Sequence, residues 1–501
     1  MSSSLIRGKY IIGRAIDNDR AEVIEDGAIF QRDGKIIEIG IEEDLSVRHQ
    51  PDEVIGDGRH VVVPGFVNGH HHVGVTPFQL GCPDLPLELW IPWRLASRSV
   101  DPYLDTLHSA FELIESGVTT VQHINSLFFG PVEPCAQVAE AVLRAYRDIG
   151  MRVSYSFMMH DQNHLVYEAD DKFVSRLPGK LGQRMTEFFG ALELPAADQF
   201  QLFEDLHGRH NGEPLTRIQL APGNLHWSSD QLLERFADYS ARFGAPMHMH
   251  LVETPYQKEY ARRRTGSTAV QFLHRFGLLG DKMTLGHGVW LTDTDIDLLA
   301  ETGTHVCHCP SSNLRLRSGI APVNQLAERG IGVAIGIDEA GINDDRDMLQ
   351  EMRLALNLHR VNHKPGIDDT VPTSCQLLRM ATEDSALTTP FGAEIGVLEP
   401  GRAADLTLMR WEQIAAPYLE PEVPVVNAML HRAKTSCVDT VIVGGEPVYR
   451  DGRFTRVDKE AVLEELAASL SGPRTSAEEQ RRQIARDVYG HVEAFYRGYL
   501  G

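Results

Sequence analysis

Five residues of this chain could act together. His70 and His72 stand one residue apart in Asn68-Gly69-His70-His71-His72, at the end of an apolar run over 61–67. On a strand, residues i and i+2 face the same way, so these two imidazoles project side by side and His71 points away. His250 lies at the end of Met247-His248-Met249-His250-Leu251, His287 closes Leu285-Gly286-His287, and Asp338 closes Ile335-Gly336-Ile337-Asp338. Imidazoles and a carboxylate at neighbouring strand ends suit one divalent ion with a coordination position open to water. Each residue also has a plainer reading. The His70–His72 stretch could be a solvated turn, and His250 a core histidine, with His248 one layer deeper on the same face. His287 could bond a neighbouring loop, and Asp338 could cap the next helix. Against five separate coincidences stands the fact that all five fall at expected strand ends.

The elements expected to position them alternate in kind. Apolar runs predict strands over 61–67, 118–124, 152–157, 217–221, 246–251, 284–287, 305–309 and 333–338. Between them, apolar residues at i, i+3 and i+4 predict helices over 101–116, 133–149, 229–243, 293–301 and 345–359. Eight strands separated mostly by helices is the pattern of an α/β (β/α)8 TIM barrel, whose active sites sit at the C-terminal strand ends. An open doubly wound sheet is the alternative, weakened because no Gly-rich phosphate loop follows the first strand.

Strand-like segments return at both termini: 10–12, 28–30 and 35–39, then 405–409, 440–443 and 445–449. Chain ends often lie close together, so a small composite β-sandwich is expected from 1–60 and 398–460, around a barrel over 61–397. Residues 461–501 form a helical extension. Its charged helix over 478–499 carries Ile484, Val488, Val492 and Phe495 at helical spacing and would pack on the barrel or on a second subunit. The net charge of -22 over 501 residues argues against nucleic acid or an anionic membrane as partner. Six scattered cysteines make no disulfide framework, and Cys307-His308-Cys309, lacking a second Cys/His cluster, reads as a buried strand end. No secretion signal or membrane-spanning apolar run is visible, so the cytoplasm is the expected location.

Several motifs together resemble one family. Pro64-Gly65-Phe66-Val67-Asn68-Gly69-His70-His71-His72 is similar to the strand-one signature of the amidohydrolase superfamily, in the branch of triazine hydrolases and guanine- and adenosine-type deaminases. His250-Leu251-Val252-Glu253, Gly286-His287, Cys307-His308-Cys309-Pro310-Ser311-Ser312-Asn313-Leu314 and Gly336-Ile337-Asp338 match that branch in order. The segment 396–406 resembles its return to the β-sandwich. Two positions depart from the pattern: His71, where Thr is frequent, and Glu339 after Asp338, where Gly is common.

The resemblance implies one divalent metal held by His70, His72, His250, His287 and Asp338, with zinc expected first and Fe(II), Mn or Co as alternatives. No lysine lies at the expected fourth strand end, which speaks against a carbamylated two-metal site. It implies a metal-dependent hydrolase of non-peptide carbon–nitrogen bonds. Asp338 would serve as general base, His287 would steady charge on the intermediate, and Glu253 would pass a proton to the substrate nitrogen. An acid at Glu253 favours deamination of an aminated N-heterocycle over hydrolysis of an amide, urea or (thio)carbamate, or dechlorination of a triazine-like ring. A non-catalytic barrel scaffold is the reading from another class.

For the substrate, Trp90 in the apolar stretch 83–93, His160 after strand three and His226 after strand four are the expected contacts. The stretch 164–201 is a candidate lid. No basic cluster faces the site in the linear sequence, so a small neutral or weakly charged ring compound is expected. A homo-oligomer is expected as the assembly.

Overall fold

The computed structural model describes residues 3–72, 74–126, 128–361 and 371–501. Its barrel strands are Phe66–His71, Val118–Asn125, Arg152–Met159, Thr216–Ile218 with Ala221–Pro222, Met247–Leu251, Met283–His287, His305–His308 and Val333–Ile335. Neighbours pair in parallel, forming one arc over the first four strands and another over the last four. Two isolated parallel bridges join the arcs, Leu220 with Met247 and His71 with Asp338. The second is made by the Asp338 N–H donating to the His70 carbonyl at 2.8 Å, so a site backbone is part of the seam. Left-handed glycines stop two of the predicted helices where expected: Gly150 after Val132–Ile149 and Gly244 after Asp230–Phe243.

The run over 61–67 is not one barrel strand. His60–Pro64 lies in the terminal sheet, antiparallel to Leu406–Arg410 and parallel to Ser3–Ala15. The exchange happens at Gly65, whose N–H donates to the Asp405 carbonyl, while the Phe66 N–H donates to Gly117. A Cβ on Gly65 would meet the Thr119 side chain at 2.2 Å, so only glycine lets the two sheets touch there. The terminal sheet has nine strands drawn from both chain ends. Ile6, Ile11, Ile29, Val62, Leu406 and Ile442 belong to its own apolar cluster. It is tied to the barrel by Arg152, at the start of the third barrel strand, which pairs with Asp405 at 2.7 Å.

The stretch 164–201 is a poor lid. It holds the helices Asp170–Val174 and Gly179–Leu192 and the start of Ala196–His210, and buries Phe173, Met185 and Phe189 in the main core. The extension forms two helices, Lys459–Ser471 and Ser476–Arg497. The second starts in a capping box of Thr475 and Glu478 and buries Ala485, Val488, Val492 and Tyr496. It packs on the helices Leu87–Leu95 and Gly179–Leu192 of its own barrel. Among the described residues, no helix is long and apolar enough to cross a membrane.

Candidate active site

The ends of strands one, five, six and eight converge. His72 Nε2 lies 3.0 Å from His70 Nε2 and 3.1 Å from His250 Nε2. Asp338 Oδ1 is 3.1 Å from His72 Nε2 and 3.5 Å from His70 Nε2, and Asp338 Oδ2 is 3.9 Å from His287 Nε2. The structure thus brings together all five residues singled out above, every one of them buried. Glu253 joins at the rim, its Oε2 3.9 Å from His287 Nε2.

Outer contacts aim each ring. His72 Nδ1 meets the Ile124 carbonyl at 2.6 Å and His250 Nδ1 the Gly223 carbonyl at 3.1 Å. A carbonyl only accepts, so both Nδ1 atoms carry hydrogen and, in the neutral rings, both Nε2 atoms present bare lone pairs to one another. His287 Nδ1 likewise donates to Asn313 Oδ1 at 2.9 Å, and His70 Nδ1 lies 2.8 Å from His248 Nε2. The Ser312 hydroxyl donates to Asp338 Oδ2 at 2.5 Å. Asn68 Oδ1 accepts the backbone N–H groups of His70 and Ile337, linking strand one to strand eight. The backbone is strained around these groups. Val252, His287 and Asp338 have φ of 44°, 68° and 66°, a region costing non-glycine residues on the order of 1–3 kcal/mol.

The electrostatics call for positive charge at the centre. Burial drives the His70 and His250 rings well below their ordinary pKa and keeps them neutral. Burial opposes ionisation of Asp338, but its hydrogen bonds to His70 and His72 outweigh it and hold that carboxyl well below its usual range. Burial also opposes a proton on His72, yet the Asp338 carboxylate raises its pKa. One proton on His72 would serve only the His72–Asp338 pair. A divalent ion would serve every inward lone pair at once, and the sets His70, His72, His250 and His70, His287, Asp338 each gather their donor atoms within 4.8 Å. The donor set therefore fits such an ion. Glu253 is shifted the other way: burial raises its carboxyl pKa, and the Ser318 hydroxyl donates to it at 3.2 Å.

The expected substrate contacts are placed less uniformly. Trp90 lines a cavity of about 50 Å³ shared with Ser312 and Glu339, beside Asp338. Trp93 instead faces Tyr489 of the C-terminal helix. His226 sits among the tilted or edge-on rings of Tyr167, Trp227 and Tyr260, and His160 lies against Phe129 and His164. Among the described residues, neither ring forms a hydrogen bond or ring contact with the five-residue cluster. His71 does point away, its ring 5.4 Å from His123.

Sequence reasoning missed the residues that aim the cluster: Asn68, Ser312 and Asn313, all polar and within a few positions of the motif histidines or in the segment after strand seven. It also missed Glu88, whose carboxyl burial pushes up to about 7 and which accepts from Tyr167 at 3.0 Å and Thr254 at 2.5 Å. Its signal was a charge inside the apolar stretch Leu85–Trp93.

Known proteins share this architecture. A deaminase from Nitratidesulfovibrio vulgaris, named for 5-methylthioadenosine and S-adenosylhomocysteine, is 31% identical over 445 residues, 89% of this chain and 92% of that protein. A 5′-deoxyadenosine deaminase from Methanopyrus kandleri is 30% identical over 90% of this chain and 96% of its own length. The crystal structure of an adenosine deaminase from Xanthomonas campestris with bound zinc superposes with a TM-score of 0.78 at 25% identity, covering 97% of this chain and 99% of that one. The model of the amidohydrolase family matches residues 61–448, and the chain belongs to that family.

Proposed function

We propose that this chain, a hydrolase of carbon–nitrogen bonds, deaminates the adenine-type ring of a nucleoside at the strand-end cluster. His70, His72, His250, His287 and Asp338 would hold one divalent ion, zinc first among the candidates. When bound, the ion supplies Lewis acidity and makes water acidic enough to attack near neutral pH. Asp338 takes the proton of the attacking water. His287, its Nδ1 committed to Asn313, turns its Nε2 lone pair inward, where it would help hold the ion or accept a hydrogen from the attacking water and orient it. Glu253 gives its proton to a ring nitrogen, drawing electrons from the carbon under attack; it then takes the proton of the new hydroxyl and passes it to the departing ammonia, and the proton held by Asp338 restores the Glu253 acid.

The observation that carries the reading is Glu253, a buried carboxyl whose pKa is raised and which stands beside the histidine cluster. A good leaving group such as chloride needs no such acid, whereas an amino group on an aromatic ring does. The kinship with proteins named as adenosine-type deaminases supports the ring chosen. The same reading assigns 61–397 to the catalytic unit, 1–60 and 398–460 to the composite sandwich and 461–501 to the extension. It places the protein in the cytoplasm and expects a homo-oligomer, which light scattering tests.

The experiment is metal content together with ammonia release from adenosine, 5′-deoxyadenosine and 5′-methylthioadenosine, set beside guanine, pterins, triazines and an amide and urea panel. About one ion per chain with ammonia from an adenine nucleoside is expected. In Glu253→Gln, turnover should fall about 10²–10⁴-fold with the metal retained. Ammonia from the amide or urea panel alone would overturn the assignment of the ring.

A further inference from the structure

A cavity of about 390 Å³ opens beside the cluster, with His72 in one wall and Asn125 and Ser126, from the end of the second strand, in the next. Its charged lining is lopsided: the guanidinium groups of Arg94, Arg98 and Arg481 against the single carboxylate of Asp105. That carboxylate is already engaged, accepting the N–H groups of Gly74 at 3.0 Å and Val75 at 2.6 Å. Arg94 pairs with Glu339 at 3.3 Å. The other two are less satisfied. Arg98 donates through Nη1 to the Leu470 carbonyl and forms a long ion pair with Glu478 at 4.0 Å, but its buried Nε has no hydrogen-bond partner among the described residues. Arg481 donates to the Ser99 hydroxyl at 3.2 Å and the Ser97 carbonyl at 3.5 Å and has no carboxylate partner among the described residues. The buried Ser126 hydroxyl also has no hydrogen-bond partner among the described residues.

We propose that this cavity is a subsite for an anionic substituent of the substrate, a carboxylate or phosphate, held by Arg98 and Arg481 while the reacting ring lies against the histidine cluster. A guanidinium fork matches either anion in geometry and charge. Val138, Val142 and Leu192 add an apolar wall suited to the linker between ring and anion. The proposal rests on the deaminase reading for its ring but not for its arginines. It revises the expectation of a neutral substrate. Arg98 and Arg481 are 383 positions apart in the chain, so no basic cluster shows in the linear sequence. It also gives the C-terminal extension a purpose. Arg481 lies outside the matched family region 61–448, and its helix reaches back to complete a pocket at strand one.

The test compares the metal-loaded, full-length protein with Arg481→Gln, Arg98→Gln and Arg481→Lys. The substrates are 5′-methylthioadenosine (neutral), S-adenosylhomocysteine (carboxylate) and adenosine 5′-monophosphate (phosphate). Thermal midpoints report folding. The expected result is a preference in kcat/KM for one anionic nucleoside over the neutral one. That ratio should fall about tenfold or more in each Gln variant, mainly through KM, recover in part in Arg481→Lys, and shrink as salt rises. Which anionic substrate shows the effect separates carboxylate from phosphate. A ratio unchanged in both Gln variants, with native-like midpoints, overturns the subsite and leaves the deaminase reading intact. If no adenine nucleoside yields ammonia, calorimetric titration with succinate and with inorganic phosphate decides. Binding that the arginine variants lose defeats only the deaminase reading, and no binding to the native protein defeats the subsite.

Discussion

Buried charge sits at both ends of the barrel strands, and the two ends handle it differently. At the start of strand three, Arg152 gives Nε and Nη2 to the two oxygens of Asp405 at 2.7 and 3.0 Å and Nη1 to the Pro214 carbonyl at 2.8 Å. Asp405 Oδ1 also accepts the Gly444 N–H at 2.7 Å. Most of the hydrogens and lone pairs there are used. At the other end, His72 and His250 turn lone pairs toward each other at 3.1 Å, each fixed from behind by a carbonyl. Both ends bear the cost of removing charge from water. Burial alone therefore does not mark function. A saturated network builds structure, whereas a convergent and unsaturated one, held in place at some expense in backbone strain, is built to receive something.

That contrast can be broken by exchanging the phenotypes. Asp338→Asn should lower turnover about 10⁴-fold, the upper range for a general base, while thermal unfolding stays cooperative near the native midpoint. Steady-state ammonia release and a melting curve check it; residual activity within tenfold of native would remove the base. Asp405→Asn should do the opposite. It leaves Arg152 buried without its charge partner, at a cost of about 3–5 kcal/mol in stability, read by denaturant titration. Turnover per folded molecule should hold. Replacing both partners, Arg152→Met with Asp405→Leu, should recover most of the lost stability. If it does not, the pair has a role beyond saturation.

The sequence carried much of this arrangement because ligand-type residues announce themselves locally. His70 and His72 obey the strand period of two, and His250, His287 and Asp338 each close a short apolar run. The barrel was legible for the same reason, since periodicity switches every dozen or so residues between 100 and 360. What stayed hidden depends on partners distant in sequence. Val61, Val62 and Val63 look like barrel strand but pair with Leu406–Arg410, and only the Gly65–Thr119 contact shows where the chain changes sheets. The helices between 170 and 210 were passed over because Gly179, Gly182 and Gly190 interrupt their pattern. Arg98 and Arg481 meet only once the C-terminal helix has docked.

A smaller effect tests the residues that aim the cluster. Asn313→Ala removes the acceptor from His287 Nδ1 and frees the ring to change tautomer and turn. Loss of such an outer contact typically costs 10–100-fold in metal affinity or activity. Competition with a chelator and kcat at saturating metal measure the two separately. A variant indistinguishable from native in both would show that His287 is held by packing alone.

The last test concerns Glu351, a saturated group placed close to the unsaturated one. Its carboxyl oxygens accept the Ser311 N–H at 2.8 Å and the Ser311 hydroxyl at 2.5 Å, fixing the start of the helix Pro310–Arg315 that delivers Ser312 to Asp338 and Asn313 to His287. Complete burial pushes its pKa from 4.5 up to about 8. As pH rises past 4.5 the unfolded chain releases this proton first while the folded protein still holds it. The unfolded state then binds fewer protons, and stability falls with pH until about 8. Each pKa unit corresponds to about 1.4 kcal/mol, so the loss between pH 5 and 8 should reach a few kcal/mol. In Glu351→Gln that decline should flatten, because the amide oxygen still accepts from Ser311 but carries no charge to suppress. Thermal midpoints of both proteins across this window decide the matter. Parallel curves would mean that Glu351 is ionised in the folded state, and that the helix behind the site is held by a charge rather than by a neutral acid.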